Sequence, residues 1–360
     1  MRPLIRIGLS IGFLLLVGAC ITPTLTPTKV PPSPTVAVTT AAPPTAEPTT
    51  PPTPTAAAPS QLIAFVDQEG HTCLIEPLEP SETCLTTSGE DSSPTWSPDG
   101  RTLAFAHREE APPAPALVML YNLDSQNLSP LALDITEEWF YQTMGEIAWS
   151  PDGRYLLLDH GTSMSRGAYV VDASTGKAVH NLSVIGRAYW APDGKRLVLG
   201  IRQPLKEKHT DELGDAISLA VLEIGQREPR VILEGTYESS YSPRAWLPDG
   251  RILYDRFDWE GDTPASPATQ WTINPDVGGK PQPAEDIPLA CDTDALKALL
   301  PAEFQSEAWQ LSLSADERWL IFRWGNWPEI GIYLLDLEGD EAPELLTYGV
   351  DPVWQPKPAD

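Results

Sequence analysis

The sequence predicts an all-β fold: a six-bladed β-propeller with four-stranded blades, closed where its two ends meet and preceded by a disordered Pro/Thr-rich stalk. Three observations predict it. A short Trp-x-Pro-Asp-Gly motif recurs along the chain. Each copy leads into runs of aliphatic and aromatic residues of strand length. The first such run lacks a motif in front of it, and the chain ends on an orphan copy of the missing piece.

The elements follow in order. Residues 1–19 read as an export signal: Arg2 and Arg6 make a positive start, and residues 7–17 are an apolar run too short to span a bilayer. The run ends Leu16-Val17-Gly18-Ala19-Cys20, small residues followed at once by cysteine. Residues 21–60 hold 12 Pro and 12 Thr, so they have little to bury and favour extended polyproline conformations. Residues 20–60 are therefore expected to form a disordered linker, reaching on the order of 120 Å when fully extended.

Residues 61–360 carry the repeat. Trp96-Ser97-Pro98-Asp99-Gly100-Arg101 is followed by Trp149-Ser150-Pro151-Asp152-Gly153-Arg154, Trp190-Ala191-Pro192-Asp193-Gly194 and Trp246-Leu247-Pro248-Asp249-Gly250. A degraded copy, Leu313-Ser314-Ala315-Asp316-Glu317-Arg318, and a truncated one, Val353-Trp354-Gln355-Pro356, complete the series. A fixed motif with variable gaps is the pattern of a propeller carrying loop insertions. Ser-Pro-Asp-Gly suits a type I turn, since Pro presets φ and Ser or Asp accepts backbone bonds. Third and fourth strands follow, as in residues 117–121 then 128–133, and 168–171 then 178–182. Leu62-Ile63-Ala64-Phe65 matches Leu103-Ala104-Phe105 as a second strand without a first. Residues 350–354 supply that strand, so both termini close one blade and remove an open sheet edge.

Export permits disulfides. Cys73 and Cys84 stand at equal distance from Pro77-Leu78-Glu79-Pro80, which makes them opposite partners in a hairpin and predicts a cross-strand disulfide. Cys291 stands apart, and nothing in the sequence marks it as reactive.

Two resemblances rest on these residues. The stretch ending at Cys20 resembles the lipobox of bacterial lipoproteins, which implies cleavage before Cys20, acylation of that residue and an envelope location facing outside the cytoplasm. The Trp-Ser-Pro-Asp-Gly-Arg-x-Leu-x-Phe repeats resemble the TolB-like propellers of periplasmic and surface proteins over residues 61–360. That family includes translocation scaffolds, peptidase accessory domains and lipoproteins, so the resemblance implies an architecture rather than one activity.

The formal charge of −26, from 50 acidic and 24 basic side chains, argues against a nucleic-acid partner. The chain has no Gly-x-Ser-x-Gly, His-Glu-x-x-His, Cys-x-x-Cys or phosphate-cradling glycine loop, so neither a cofactor nor catalysis is expected. The repeat aspartates Asp99, Asp152, Asp193, Asp249 and Asp316 share one turn position and are expected to cap it. His107 and His160 each stand eleven residues after a motif Trp, at equivalent strand ends, and Asp67 takes the corresponding place in the first blade. Two imidazoles and a carboxylate at one channel mouth suit a divalent metal, which frames the alternative of a metal-assisted polysaccharide lyase or hydrolase. The later equivalents Ile201, Phe257 and Trp324 do not continue such a ring.

The motif turns lie on one face of the propeller, which sends the long insertions to the other: residues 108–116, 134–145, 203–217, 258–270, 286–309 and 325–329. Long loops on a rigid scaffold are where binding is usually carried. These hold Trp139, Phe140, Tyr141, Trp259, Trp324 and Trp327 among acidic residues, rings suited to stack on sugars or anchor a peptide. Aliphatic spacing over residues 292–304 predicts a short helix on that face. The expected function is a monomeric, non-catalytic module, held to a membrane by its lipid, that binds an envelope or extracellular protein, peptide or glycan.

Overall fold

The computed structural model describes residues 61–357, apart from residues 78, 111–113, 163–164, 205–214, 261–262, 265–266, 277 and 327–328. The export signal, Cys20, the linker and Trp327 lie outside the described residues.

The chain runs β1 (Ile63–Asp67), β2 (Thr72–Glu76), β3 (Glu79–Cys84), β4 (Glu90–Trp96), β5 (Thr102–Arg108), β6 (Leu117–Asn122), β7 (Asn127–Pro130), α1 (Glu138–Thr143), β8 (Met144–Trp149), β9 (Tyr155–Thr162), β10 (Ser165–Asp172) and β11 (Ala178–Trp190). It continues through β12 (Arg196–Pro204), β13 (Asp215–Glu223), β14 (Arg230–Leu233), β15 (Ser239–Trp246), β16 (Ile252–Glu260), β17 (Thr263–Pro264), β18 (Thr269–Ile273) and β19 (Gln282–Pro283). It closes with α2 (Thr293–Ala298), α3 (Ala302–Gln305), β20 (Trp309–Leu313), β21 (Trp319–Trp324), β22 (Gly331–Asp336) and β23 (Glu344–Trp354).

Antiparallel neighbours in sequence pair to give meandering four-stranded units such as β4-β5-β6-β7 and β15-β16-β18-β19. The long strands β11 and β23 each serve two units. The first part of β11 is the outer strand beside β10, and its second part is the inner strand beside β12. Likewise β23 pairs with β22 and then crosses to β1, with Ile63 opposite Trp354 and Ala64 opposite Val353. The last strand thus completes the blade that β1, β2 and β3 begin, as the matching of the two ends predicted.

Each motif turn is tied by its own side chains. Asp99 Oδ1 accepts from Ser97 Oγ at 2.6 Å and from the Arg101 amide at 3.0 Å, while Ser97 Oγ accepts from the Thr102 amide at 2.9 Å. The same set recurs at Ser150/Asp152 and at Ser314/Asp316. Where Ala191 or Leu247 replaces the serine, the aspartate bond to the backbone remains, at 2.9 Å for both Asp193 and Asp249. Three motif tryptophans tie neighbouring blades together, while Trp246 donates to Gly250 in its own turn at 3.2 Å. The indole N–H groups of Trp149, Trp190 and Trp354 donate to the carbonyls of Thr95, Ala148 and Ser312 at 3.2, 3.4 and 3.1 Å.

Apolar clusters fill the seams between blades. Phe105 and Trp96 meet Ala64 and Leu74; Ala104 and Val118 meet Leu156 and Leu158; Leu157 and Val170 meet Leu197 and Leu199; Val198 meets Ile252 and Tyr254; and Trp319 and Ile321 meet Ile63 and Phe65. Between the β16 and β21 blades the seam is different. Leu253 packs on Ile287 and Cys291, whereas Leu320 and Phe322 pack on Leu296, Leu300 and Phe304. The helical segment expected to lie on the loop face is therefore a wedge set between two blades. Asp292 starts α2 by accepting the amides of Asp294 and Ala295 at 3.1 and 3.0 Å.

Candidate binding face around helix α1

The loop before β8 is shaped from within. Ile135 and Phe140 are buried, and the Phe140 ring packs edge-on against Tyr141, His160 and Tyr169 at 5.0, 5.4 and 5.0 Å. Tyr141 donates its hydroxyl to the Ile135 carbonyl at 2.9 Å, and its own carbonyl accepts the Ala116 amide at 2.8 Å. A six-residue helix is too short to persist alone, so these contacts hold it. Arg108 adds a charge at its C-terminal end, donating to the carbonyls of Gln142 and Met144 at 3.3 and 3.2 Å. The Tyr169 hydroxyl, bonded by Glu137 and by Asn181 Nδ2 at 2.8 Å, is pushed up to about 12 by burial and by the Glu137 charge.

The aromatic residues singled out in the loops do not behave alike. Trp139 is 43% exposed and held against His160 at 5.1 Å, nearly perpendicular to it. Phe140 belongs to the core, and Tyr141 is half-buried. Trp259 is half-buried at the base of the β16–β17 hairpin, its amide donating to Glu238. Trp324 is also half-buried and packs against Phe304 and Tyr333 under α3.

His107 and His160 do occupy equivalent registers, opposite Asp91 and Met144, and that difference of partner decides their chemistry. His107 Nδ1 lies 2.6 Å from Asp91 Oδ1 and its Nε2 is 3.3 Å from Glu109. Burial alone would lower its pKa, but the bonds and charges of Asp91 and Glu109 raise it on balance. His160 is equally buried, yet neither ring nitrogen has a hydrogen-bond partner among the described residues, and burial lowers its pKa against the opposing pull of Glu137. Asp67 accepts the His71 amide at 2.7 Å and lies 3.4 Å from the His71 ring. Among the described residues, the set of three donor groups within 4.8 Å of one another is Asp67, Cys73 and Cys84, not Asp67, His107 and His160. Cys73 and Cys84 are joined directly across β2 and β3, as the sequence predicted, so their sulfurs are not thiolate ligands.

Sequence reasoning missed the polar lining of the inner strands. Each pairing of inner and second strand breaks register shortly before the motif position, as between Ser92 and Thr95, Met144 and Ile147, Ile185 and Tyr189, and Trp309 and Ser312. Such bulges re-aim side chains. Here the irregular stretches carry Ser93, Glu146, Arg187, Arg244, Gln310 and Asp351. Arg187 pairs with Glu146, Arg244 with Asp255 at 3.5 Å, and Gln310 with Asp351, whose carboxylate also accepts the Ser93 amide at 3.3 Å. Burial pushes Asp159 up to about 6 although Arg166 lies 3.9 Å away, and it also raises Asp255. The signal was present in one form: the residue three before the motif Trp is polar in four of five copies, at Ser93, Glu146, Arg187 and Asp351.

A cleft of about 680 Å³ opens on the opposite, motif-turn face, lined by Asp99, Arg101, Leu120, Trp149, Asp152 and Ser174 among others. It contains none of the loop aromatics.

No family model and no curated protein matches the chain. Solved structures do. TolB from Acinetobacter baumannii is similar with a TM-score of 0.47 and 16% identity, over 83% of this chain and 67% of that one. A putative TolB from Agrobacterium tumefaciens gives 0.42 and 14%, over 80% and 90%. The β-propeller domain of the Trilobed protease from Pyrococcus furiosus gives 0.44 and 11%, over 76% and 74%. The blade meander, the shared seams and the terminal clasp make the chain a β-propeller, and these are the propellers it resembles.

Proposed function

We propose that this is an exported lipoprotein, anchored through Cys20 and displayed on the residue 20–60 stalk, whose six-bladed propeller binds a protein of the envelope or its surroundings without catalysis. The binding face is the long-loop face, and Trp139 is its anchor. One observation carries this reading: among the described residues Trp139 is the exposed tryptophan, yet its helix is tied to the β-scaffold through Arg108 and the Ala116 amide. A large ring held out to solvent on rigid support is how an interface anchor is built, because little conformational freedom is lost when a partner covers it. No helix among the described residues is long and apolar enough to cross a membrane.

The test is a photo-crosslinking amino acid placed at the exposed Thr136, just before helix α1, and, separately, at the exposed Lys195 on the motif-turn face. A discrete adduct from position 136 alone supports the reading. Adducts from Lys195 alone would move the binding face to the other side.

A further inference from the structure

Trp139 differs from four other tryptophans in a way that bears on what should cover it. Arg196 sits over Trp246 at 4.9 Å, Arg256 over Trp271 at 5.8 Å, Lys297 over Trp309 at 4.7 Å and Arg318 over Trp319 at 5.2 Å. Each of those indoles holds a cation of its own chain. Trp139 is more exposed than any of them and holds none among the described residues. Its surroundings are nevertheless arranged for positive charge. Glu137 and Glu138 are exposed on either side of the start of α1, and Gln142 Nε2 braces Glu138 at 3.4 Å. Arg108, the cation of the neighbouring strand, is committed to the carbonyls at the far end of the helix. His160 beneath the indole is buried and kept neutral near pH 7, so it adds no competing charge.

We infer that the Trp139 site receives a cationic side chain, a lysine or arginine presented by a basic segment of a partner protein. The ammonium or guanidinium stacks on the indole face while Glu137 and Glu138 supply the counter-charge. Tryptophan is the best of the aromatic side chains for this contact. The strongly acidic chain steers such a partner in at low ionic strength. This inference rests on the loop face being the binding surface and adds the chemistry of the partner.

The experiment titrates tetralysine into the full chain at about 50 mM salt, where charge pairs are weakly screened. The readout is the indole N–H resonance of Trp139, assigned by its loss in Trp139→Phe. Tetralysine acetylated on its side chains, of equal length but without their charge, is the control. Saturable movement of that resonance by tetralysine is expected, with at least tenfold weaker binding of the acetylated peptide. Trp139→Ala should weaken tetralysine binding roughly 2- to 30-fold, the range that cation–π energies convert to. Trp139→Tyr should keep part of the affinity, and Glu138→Gln should lose about 2- to 3-fold with the indole intact. Equal response to both peptides, or unchanged affinity in Trp139→Ala, would overturn the inference. The two readings fail separately. An adduct at position 136 without tetralysine binding removes the cationic partner alone. Tetralysine binding at Trp139 without any adduct removes the protein-binding face.

Discussion

Asp159 and His160 are neighbours on β9 and respond to pH in opposite senses. The Asp159 carboxyl is raised by burial to about 6, so folding disfavours its charged form. Stability is greatest below the unfolded value of 3.8 and is lost as pH rises through about 6. With its side chain 15% exposed, Asp159→Asn should raise stability at alkaline pH by up to about 3 kcal/mol, and by little near pH 4. Urea midpoints of both proteins across that range check this, and parallel profiles would contradict it. For His160 the folded pKa is lowered, so its contribution is present above 6.5 and is lost as pH falls through the lowered value. His160 also explains a glycine. A Cβ at Gly167 would lie 2.7 Å from the His160 ring and 2.9 Å from the Leu182 carbonyl. Gly167→Ala should therefore cost about 1–3 kcal/mol, measurable in the same denaturation series. The sequence places His160 at a strand end but cannot show what faces it. The unlike partners Asp91 and Met144 come from another strand, and strand register is set by the bulges.

At the level of elements, the motif turns, the terminal clasp and the Cys73–Cys84 hairpin were legible because each is local or repeats. Ser-Pro-Asp-Gly dictates its own turn, and equal spacing about residues 77–80 sets the cysteines opposite one another. Helix α1 was not legible. Phe140 reads as one of three exposed loop aromatics, and only packing against Tyr169 and His160 makes it core and leaves Trp139 outside. The wedge at α2 was half legible: its helical spacing showed, but not the seam it fills. Two predictions belong here. Replacing both Cys73 and Cys84 by alanine should cost about 2–3 kcal/mol, since the crosslink closes a short loop of sequence separation 11. Trp354→Ala should cost more, about 3–5 kcal/mol, because Trp354 is 5% exposed and joins the last strand both to β1 and to the Ser312 carbonyl. Thermal unfolding checks both, and a Trp354→Ala protein as stable as the parent would show that the clasp does not hold the ring.

For the whole molecule, the seams explain why a ring of weakly individual blades holds together. Blades bury their aliphatic residues against a neighbour, and three of the seams are also tied by a tryptophan N–H. Between the β16 and β21 blades this direct contact gives way to the α2–α3 wedge. The scaffold and its two unlike faces follow from repetition in the sequence. What the loop face recognises does not repeat, and it emerges only when folding sorts buried rings from the exposed one. The most direct test of the account is affinity capture from envelope extracts with the parent chain and with Trp139→Ala, both shown to melt at the same temperature. A specific protein should be held by the parent and lost by the variant. The same protein captured equally by both would contradict it.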